Sequence, residues 1–297
     1  MEPAILTERL SKVYGDVIAL DGLDLRVERG EIFGFLGPNG AGKTTTIRLL
    51  LDLIRPTSGR ASVLGADCQR QSQTVRATVG YLPGDIRLYG DLTGAETFRL
   101  LAALRPHPPD QQYVGGLVRA LELDLNPRVA TYSKGNRQKL GLLLGLMGRP
   151  PVLLLDEPTS GLDPIMQRVV WDLLRTEARR GTTVFFSSHV LSEVEEICER
   201  VGMLRAGQLV AVEPITSLRG RSWRRLEVTF AEEAPAGLEF DDARVVERGT
   251  HTITLEVAGD LDPLVKTLGR YHVTDLRTVQ PSLEEMLLAY YREEARR

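Results

Sequence analysis

Eight consecutive residues, Gly37-Pro38-Asn39-Gly40-Ala41-Gly42-Lys43-Thr44, follow the pattern G-x-x-x-x-G-K-[ST]. They stand between a short apolar run and a stretch of helical periodicity, the context in which this pattern cradles phosphates. Glycine at 37, 40 and 42 lets the backbone take conformations closed to other residues and approach an anion closely. The loop amides and the N-terminus of the next helix then point at phosphate oxygens. Lys43 offers a compact cation to the β- and γ-phosphates of a nucleotide, and Thr44 a hydroxyl to magnesium. Thr45 belongs to the same turn. Lysine is scarce in this chain: Lys12, Lys43, Lys134, Lys139 and Lys266 are five of 37 cations. A chain that otherwise favours arginine keeps lysine where a planar fork would not fit.

Such a loop needs an acidic partner, and Val152-Leu153-Leu154-Leu155-Asp156-Glu157 supplies one: an apolar strand ending in two carboxylates. Asp156 is placed to hold magnesium through water. Glu157 is placed to polarise the attacking water. The chemistry expected is phosphoryl transfer from a nucleotide to water with magnesium as cofactor, in which positioning and charge stabilisation do most of the catalysis.

These residues must be carried by an α/β fold. Val17–Val27, Glu31–Leu36, Arg60–Leu64 and Thr78–Leu82 read as strands, and Lys43–Ile54 as a helix. Pro56-Thr57-Ser58-Gly59 has the composition of a turn. From about 91 to 150 the apolar spacing turns helical (Leu92, Phe98, Leu101, Leu104, then Val114, Leu117, Val118, Leu121), and Thr93 with Glu96 forms a capping box. This is a helical insertion. After it come the strand Val152–Leu155, a helix Pro164–Arg179, a strand Thr182–Ser187 and a helix Leu191–Cys198. That alternation predicts an α/β fold with a mostly parallel sheet; with the phosphate loop it makes a P-loop nucleoside-triphosphatase (NTPase) core, joined by an antiparallel β subdomain. Residues 221–297 read as a second, small α+β domain. Its strands are Leu226–Phe230, Thr252–Val257 and His272–Val279, its first helix Asp260–Leu268, and its last helix is capped by Ser282 and Glu285.

Composition narrows the partners. With 37 cations against 40 anions the formal net charge is −3, and no concentrated basic footprint for nucleic acid is present. The most apolar run, Leu140–Met147, is interrupted by Gly141 and Gly145 and falls far short of the roughly 18 residues a spanning helix needs. Met1-Glu2-Pro3 does not resemble the start of a secretory signal. Cys68 and Cys198 are far apart and fit no metal spacing, as expected of a cytosolic chain with incidental thiols.

Across roughly residues 4–215 the chain resembles the ATP-binding subunit of ABC transporters. Ser133-Lys134-Gly135-Asn136-Arg137-Gln138 stands where that family has its signature, a segment that reaches across a dimer to the γ-phosphate held by the other subunit. Ser160-Gly161-Leu162-Asp163 resembles the D-loop, His189 the switch histidine that contacts the γ-phosphate, and Tyr14 the aromatic that stacks on adenine. The resemblance implies a cytoplasmic subunit that closes on a second copy of itself and attaches to the inner face of the membrane through an integral permease. Two departures stand out. Lys134 and Asn136 replace the usual glycine and glutamine, a form similar to ABC-2-type exporters. In Val79-Gly80-Tyr81-Leu82-Pro83-Gly84-Asp85, Gly84 takes the place of a glutamine that normally touches magnesium and couples to the permease; adjacent Asp85 could substitute through a water. The segment Pro281–Glu285 resembles the end of an accessory domain in the drug- and ion-exporter branch. Two rival functions are a soluble ATPase of this class acting on ribosomes or DNA, and a nucleotide sensor without turnover. The single phosphate loop and near-neutral charge oppose the first. Glu157 and His189 oppose the second.

Overall fold

The structure, a computed structural model, describes residues 2–279 apart from 106, 221–223, 236–237, 239–242 and 258–260. The chain divides into two compact units, Met1–Ile215 and Thr216–Arg297.

The first unit opens with a long hairpin, β1 (Ile5–Tyr14) and β2 (Val17–Val27), whose strands pair antiparallel. Next come β3 (Ile32–Leu36) and α1 (Lys43–Leu50). The sequence periodicity predicted a helix to Ile54, but α1 ends at Leu50, where the chain turns through a left-handed Asp52 (φ 53°). Then follow β4 (Ser58–Val63), β5 (Ala66–Asp67), α2 (Ser72–Thr78) and β6 (Val79–Leu82). The helical insertion holds α3 (Gly94–Ala103), α4 (Gln111–Ala120) and α5 (Lys134–Leu146). Thr93 caps α3 and accepts from the Glu96 amide, with the Glu96 carboxylate returning to the Thr93 backbone, the reciprocal box expected from the sequence. The core resumes with β7 (Val152–Asp156), α6 (Pro164–Arg179), β8 (Thr183–Ser188), α7 (Leu191–Ile197) and the hairpin β9 (Arg200–Arg205) and β10 (Gln208–Pro214).

Six strands form the central sheet in the order β10-β9-β3-β8-β7-β6, parallel except at the β9–β10 edge. A second sheet, β2-β1-β4-β5, is antiparallel. Strands β3, β7 and β8 are buried on both faces, which is why they read as continuous apolar runs and not as alternation. Phe33, Phe35, Phe185 and Phe186 fill the middle, with the Phe33 and Phe185 rings stacked 6.0 Å apart. Gly34 allows α7 to pack close: a Cβ there would meet Val194 Cγ1 at 2.5 Å.

Beyond α8 (Ile215–Gly220) the second unit has β11 (Arg224–Phe230), β12 (Ala243–Arg248), β13 (Thr252–Val257), α9 (Asp262–Leu268) and β14 (Val273–Val279). Its sheet, in the order β12-β13-β11-β14, is wholly antiparallel. Leu226, Val228, Ile253, Leu255 and Leu264 lie in its own small core. The helix capped by Ser282 and Glu285, and the Pro281–Glu285 segment, lie outside the described residues.

Candidate functional site

The loop from Gly37 to Thr44 joins β3 to α1, and its conformation depends on glycine. Gly40 and Gly42 have φ of 80° and 110°, and a Cβ on Gly42 would stand 2.5 Å from the Ala19 carbonyl oxygen of β2. Gly37 is crowded in the same way by the Leu204 carbonyl, 2.4 Å from a would-be Cβ. The Gly37 amide donates to Ser188 O at 3.2 Å and Ala41 N to Pro38 O at 3.1 Å, while Asn39 and Gly40 are exposed at the loop's crest. Helix α1 has no acidic residue in its first turn, leaving its positive end open to an anion.

Lys43 is buried and folds back over the loop, donating Nζ to the carbonyls of Gly37 (2.6 Å) and Pro38 (3.0 Å). Burial pushes its ammonium below the usual lysine range, and the charges of Glu157 and Asp156 partly restore it. Thr44 donates Oγ1 to Asp156 Oδ2 at 2.7 Å. The other oxygen of Asp156 accepts from Ser187 Oγ at 2.6 Å. Register makes this pair: parallel strands β7 and β8 set Asp156 beside Ser187. Ser187 carried no sequence signal of its own.

One residue past β7, Glu157 takes a left-handed backbone (φ 50°), held by its amide donating to Ser187 at 3.2 Å. Its Oε1 lies 2.8 Å from His189 Nδ1, one residue past β8. Behind these, Glu193 of α7 accepts from Thr159 Oγ1 and Ser188 Oγ, both at 2.6 Å. Glu193 was also silent in the sequence, because a carboxylate on an amphipathic helix reads as solvated.

The remaining predicted positions occupy other elements. Ser133 caps α5 and accepts from the Asn136 amide at 3.1 Å. Lys134 donates to Ser160 Oγ at 2.8 Å, and Gly135 lies against the Gly161 carbonyl. Leu162 is buried, and Asp163 caps α6, accepting from the Ile165 and Met166 amides, which hold its carboxyl below the usual range. Tyr14, exposed at the end of β1, has the Lys12 ammonium 4.8 Å from its ring centre. Gly84 lies against the carboxylate of Asp156: a Cβ there would stand 3.1 Å from Oδ2. Asp85 is exposed and pairs with Arg87 at 2.8 Å.

Three parallel strands thus deliver a cation, a hydroxyl, two carboxylates and an imidazole to one end of the sheet. The profile described as "ABC transporter" matches residues 20–160. The chain is 35% identical over 246 residues to the bacitracin transport ATP-binding protein BcrA of Bacillus licheniformis, covering 80% of this chain and 78% of that one. The chain belongs to the ABC transporter ATP-binding family. It is 38% identical to the daunorubicin resistance ATP-binding protein DrrA2 of Streptomyces coeruleorubidus, a match over 96% of this chain and 94% of the relative. A solved ATP-binding subunit of an ABC transporter superposes with a TM-score of 0.67 at 28% identity, covering 73% of this chain and 92% of that one. As a member of this family the chain binds and hydrolyses ATP and energises transport through a separate membrane component.

Proposed function

We propose that this chain drives an exporter, working as an ATP sandwich of two copies attached to a membrane permease, and that the residues named above carry out the chemistry. The observation that carries the reading is the convergence of Lys43, Thr44, Asp156, Glu157 and His189 at adjacent strand ends. The match over nearly the whole chain to a daunorubicin resistance protein, and that to a bacitracin transport protein, support the exporter branch. Among the described residues no helix is long and apolar enough to cross a membrane, in keeping with a peripheral cytoplasmic subunit that depends on its permease.

The Gly37–Thr45 loop and the N-terminus of α1 bind the phosphates, and Lys43 exchanges its two carbonyl partners for phosphate oxygens. Tyr14 stacks on adenine. Thr44 and Asp156 form an oxygen donor set suited to magnesium and would hold the ion beside the phosphates. The close approach of Gly84 to Asp156 keeps side-chain bulk out of that position. Magnesium, when bound, neutralises charge on the phosphates. Glu157 orients the attacking water and accepts its proton, while His189 contacts the γ-phosphate and holds the Glu157 carboxylate in place. Ser133, Lys134, Gly135 and Asn136 face the nucleotide of the other copy, and Ser160–Asp163 links the two sites.

The test is fractionation with turnover. Expressed alone, the chain should remain in the soluble fraction and release phosphate from ATP with magnesium. Co-expressed with its permease, it should pellet with membranes. Pelleting alone in high salt would count against a peripheral subunit.

A further inference from the structure

One face of α5 grips the turn that carries Glu157. Gln138, buried, donates Nε2 to the Glu157 carbonyl oxygen at 2.9 Å. Four residues earlier, and so on the same face, Lys134 donates Nζ to Ser160 Oγ at 2.8 Å. The lysine stem lies across Gly161, where an added Cβ would stand 3.0 Å from its Cγ and Cδ. Between the two, Gly135 fits against the Gly161 carbonyl, 2.9 Å from a would-be Cβ.

The gripped turn is strained. Glu157 is left-handed at φ 50° without being glycine, Gly161 follows at 77°, and Ser160 N donates back to Glu157 O at 3.1 Å. Such a conformation persists only where its surroundings over-determine it. The first turn of α5 contains Lys134 and Arg137 and no acid, an unfavourable arrangement at the positive end of a helix. The Ser160 hydroxyl gives the Lys134 ammonium an acceptor there.

We propose that Lys134 is a positioning residue for hydrolysis: through Ser160 it fixes the Glu157–Gly161 turn to the signature helix, so that the carboxylate is aligned in step with that helix. The proposal rests on Glu157 being the residue that activates water. A glycine at 134, the usual residue of the family, lacks the side chain for this contact and leaves α5 holding the turn through Gln138 and the Gly135 packing.

The experiment compares the full-length chain with Lys134→Ala, Ser160→Ala, their double variant and Lys134→Arg, in steady-state ATP hydrolysis with magnesium. Each alanine variant should lower kcat roughly three- to tenfold, as for loss of one hydrogen bond, with KM held within about twofold. The double variant should fall no further than the weaker single, and Lys134→Arg should recover part of the rate. Hydrogen exchange in the peptide spanning 157–163 should quicken in Lys134→Ala without nucleotide, a readout independent of turnover. Losses that multiply in the double variant, or a change confined to KM, would overturn the proposal by leaving Lys134 only its contact with the nucleotide of the other copy and no part in positioning the turn. Unchanged exchange with an active wild type overturns it alone. A wild-type chain without turnover overturns the reading of Glu157, and this proposal with it.

Discussion

His189 Nδ1 and Glu157 Oε1 lie 2.8 Å apart, each one residue beyond the end of its strand. Because β7 and β8 are parallel neighbours, with Asp156 opposite Ser187, the carboxylate and the imidazole emerge side by side. The pair ties the proposed water-activating group to the group proposed to contact the γ-phosphate, so removing charge at 157 should separate binding from turnover.

Glu157→Gln should keep ATP affinity, which the proposed site draws from Lys43, the loop amides and magnesium. Hydrolysis should fall by about 10²–10⁴-fold, the usual worth of general-base assistance. ATP then persists, and light scattering should find a dimer with magnesium-ATP and a monomer with ADP. Adding Lys43→Ala should abolish that shift. Wild-type turnover in Glu157→Gln would remove this carboxylate from the mechanism.

Gly84→Ala should weaken magnesium binding to the nucleotide complex several-fold. The new Cβ would stand 3.1 Å from Asp156 Oδ2 and 3.3 Å from Cγ. Asp156 has little room to retreat, because it is buried and its two oxygens are engaged by Thr44 and Ser187. Magnesium titration of ATP affinity is the measurement, and an unchanged midpoint would show that the carboxylate moves freely.

Both cysteines should be silent to a thiol reagent in the folded protein at pH 8 and reactive after unfolding. Burial pushes the Cys68 thiol up to about 12 and raises that of Cys198 as well. The unfolded thiols ionise near 8.5 while the folded ones keep their protons, so the folded state binds more protons above that pH. Stability therefore falls as pH rises through about 8.5, by up to about 1.4 kcal/mol per pH unit per thiol. For Cys68 this continues towards about 12. Urea midpoints at pH 8 and 10 should differ less in Cys68→Ala than in the wild type.

Deleting 221–297 should leave ATP affinity within a few-fold, since every nucleotide motif lies in the unit that ends at Ile215. Fluorescent-nucleotide titration of the folded truncated chain checks this. Complete loss of binding would make the second unit part of the site.

Much of this molecule was legible before any fold was known. Gly37–Thr44 and Val152–Glu157 could be read because each is a contiguous run whose chemistry is local: glycines that free a loop, a lysine beside them, carboxylates closing an apolar strand. The strands β3, β7 and β8 announced themselves as unbroken apolar runs because both their faces are buried. The β9–β10 hairpin did not, since its turn rests on Ala206 and Gly207 at positive φ and its strands mix polar and apolar residues without a clean period. Ser187 and Glu193 were equally silent, and Gln138 stood out only as the end of the signature segment, with no partner legible. Their roles come from strand order and helix docking, which set Ser187 against Asp156 across 31 residues and Gln138 against Glu157 across 19. Local periodicity specifies which face of an element is buried, but which element lies against that face is settled only when the sheet closes and the helices pack.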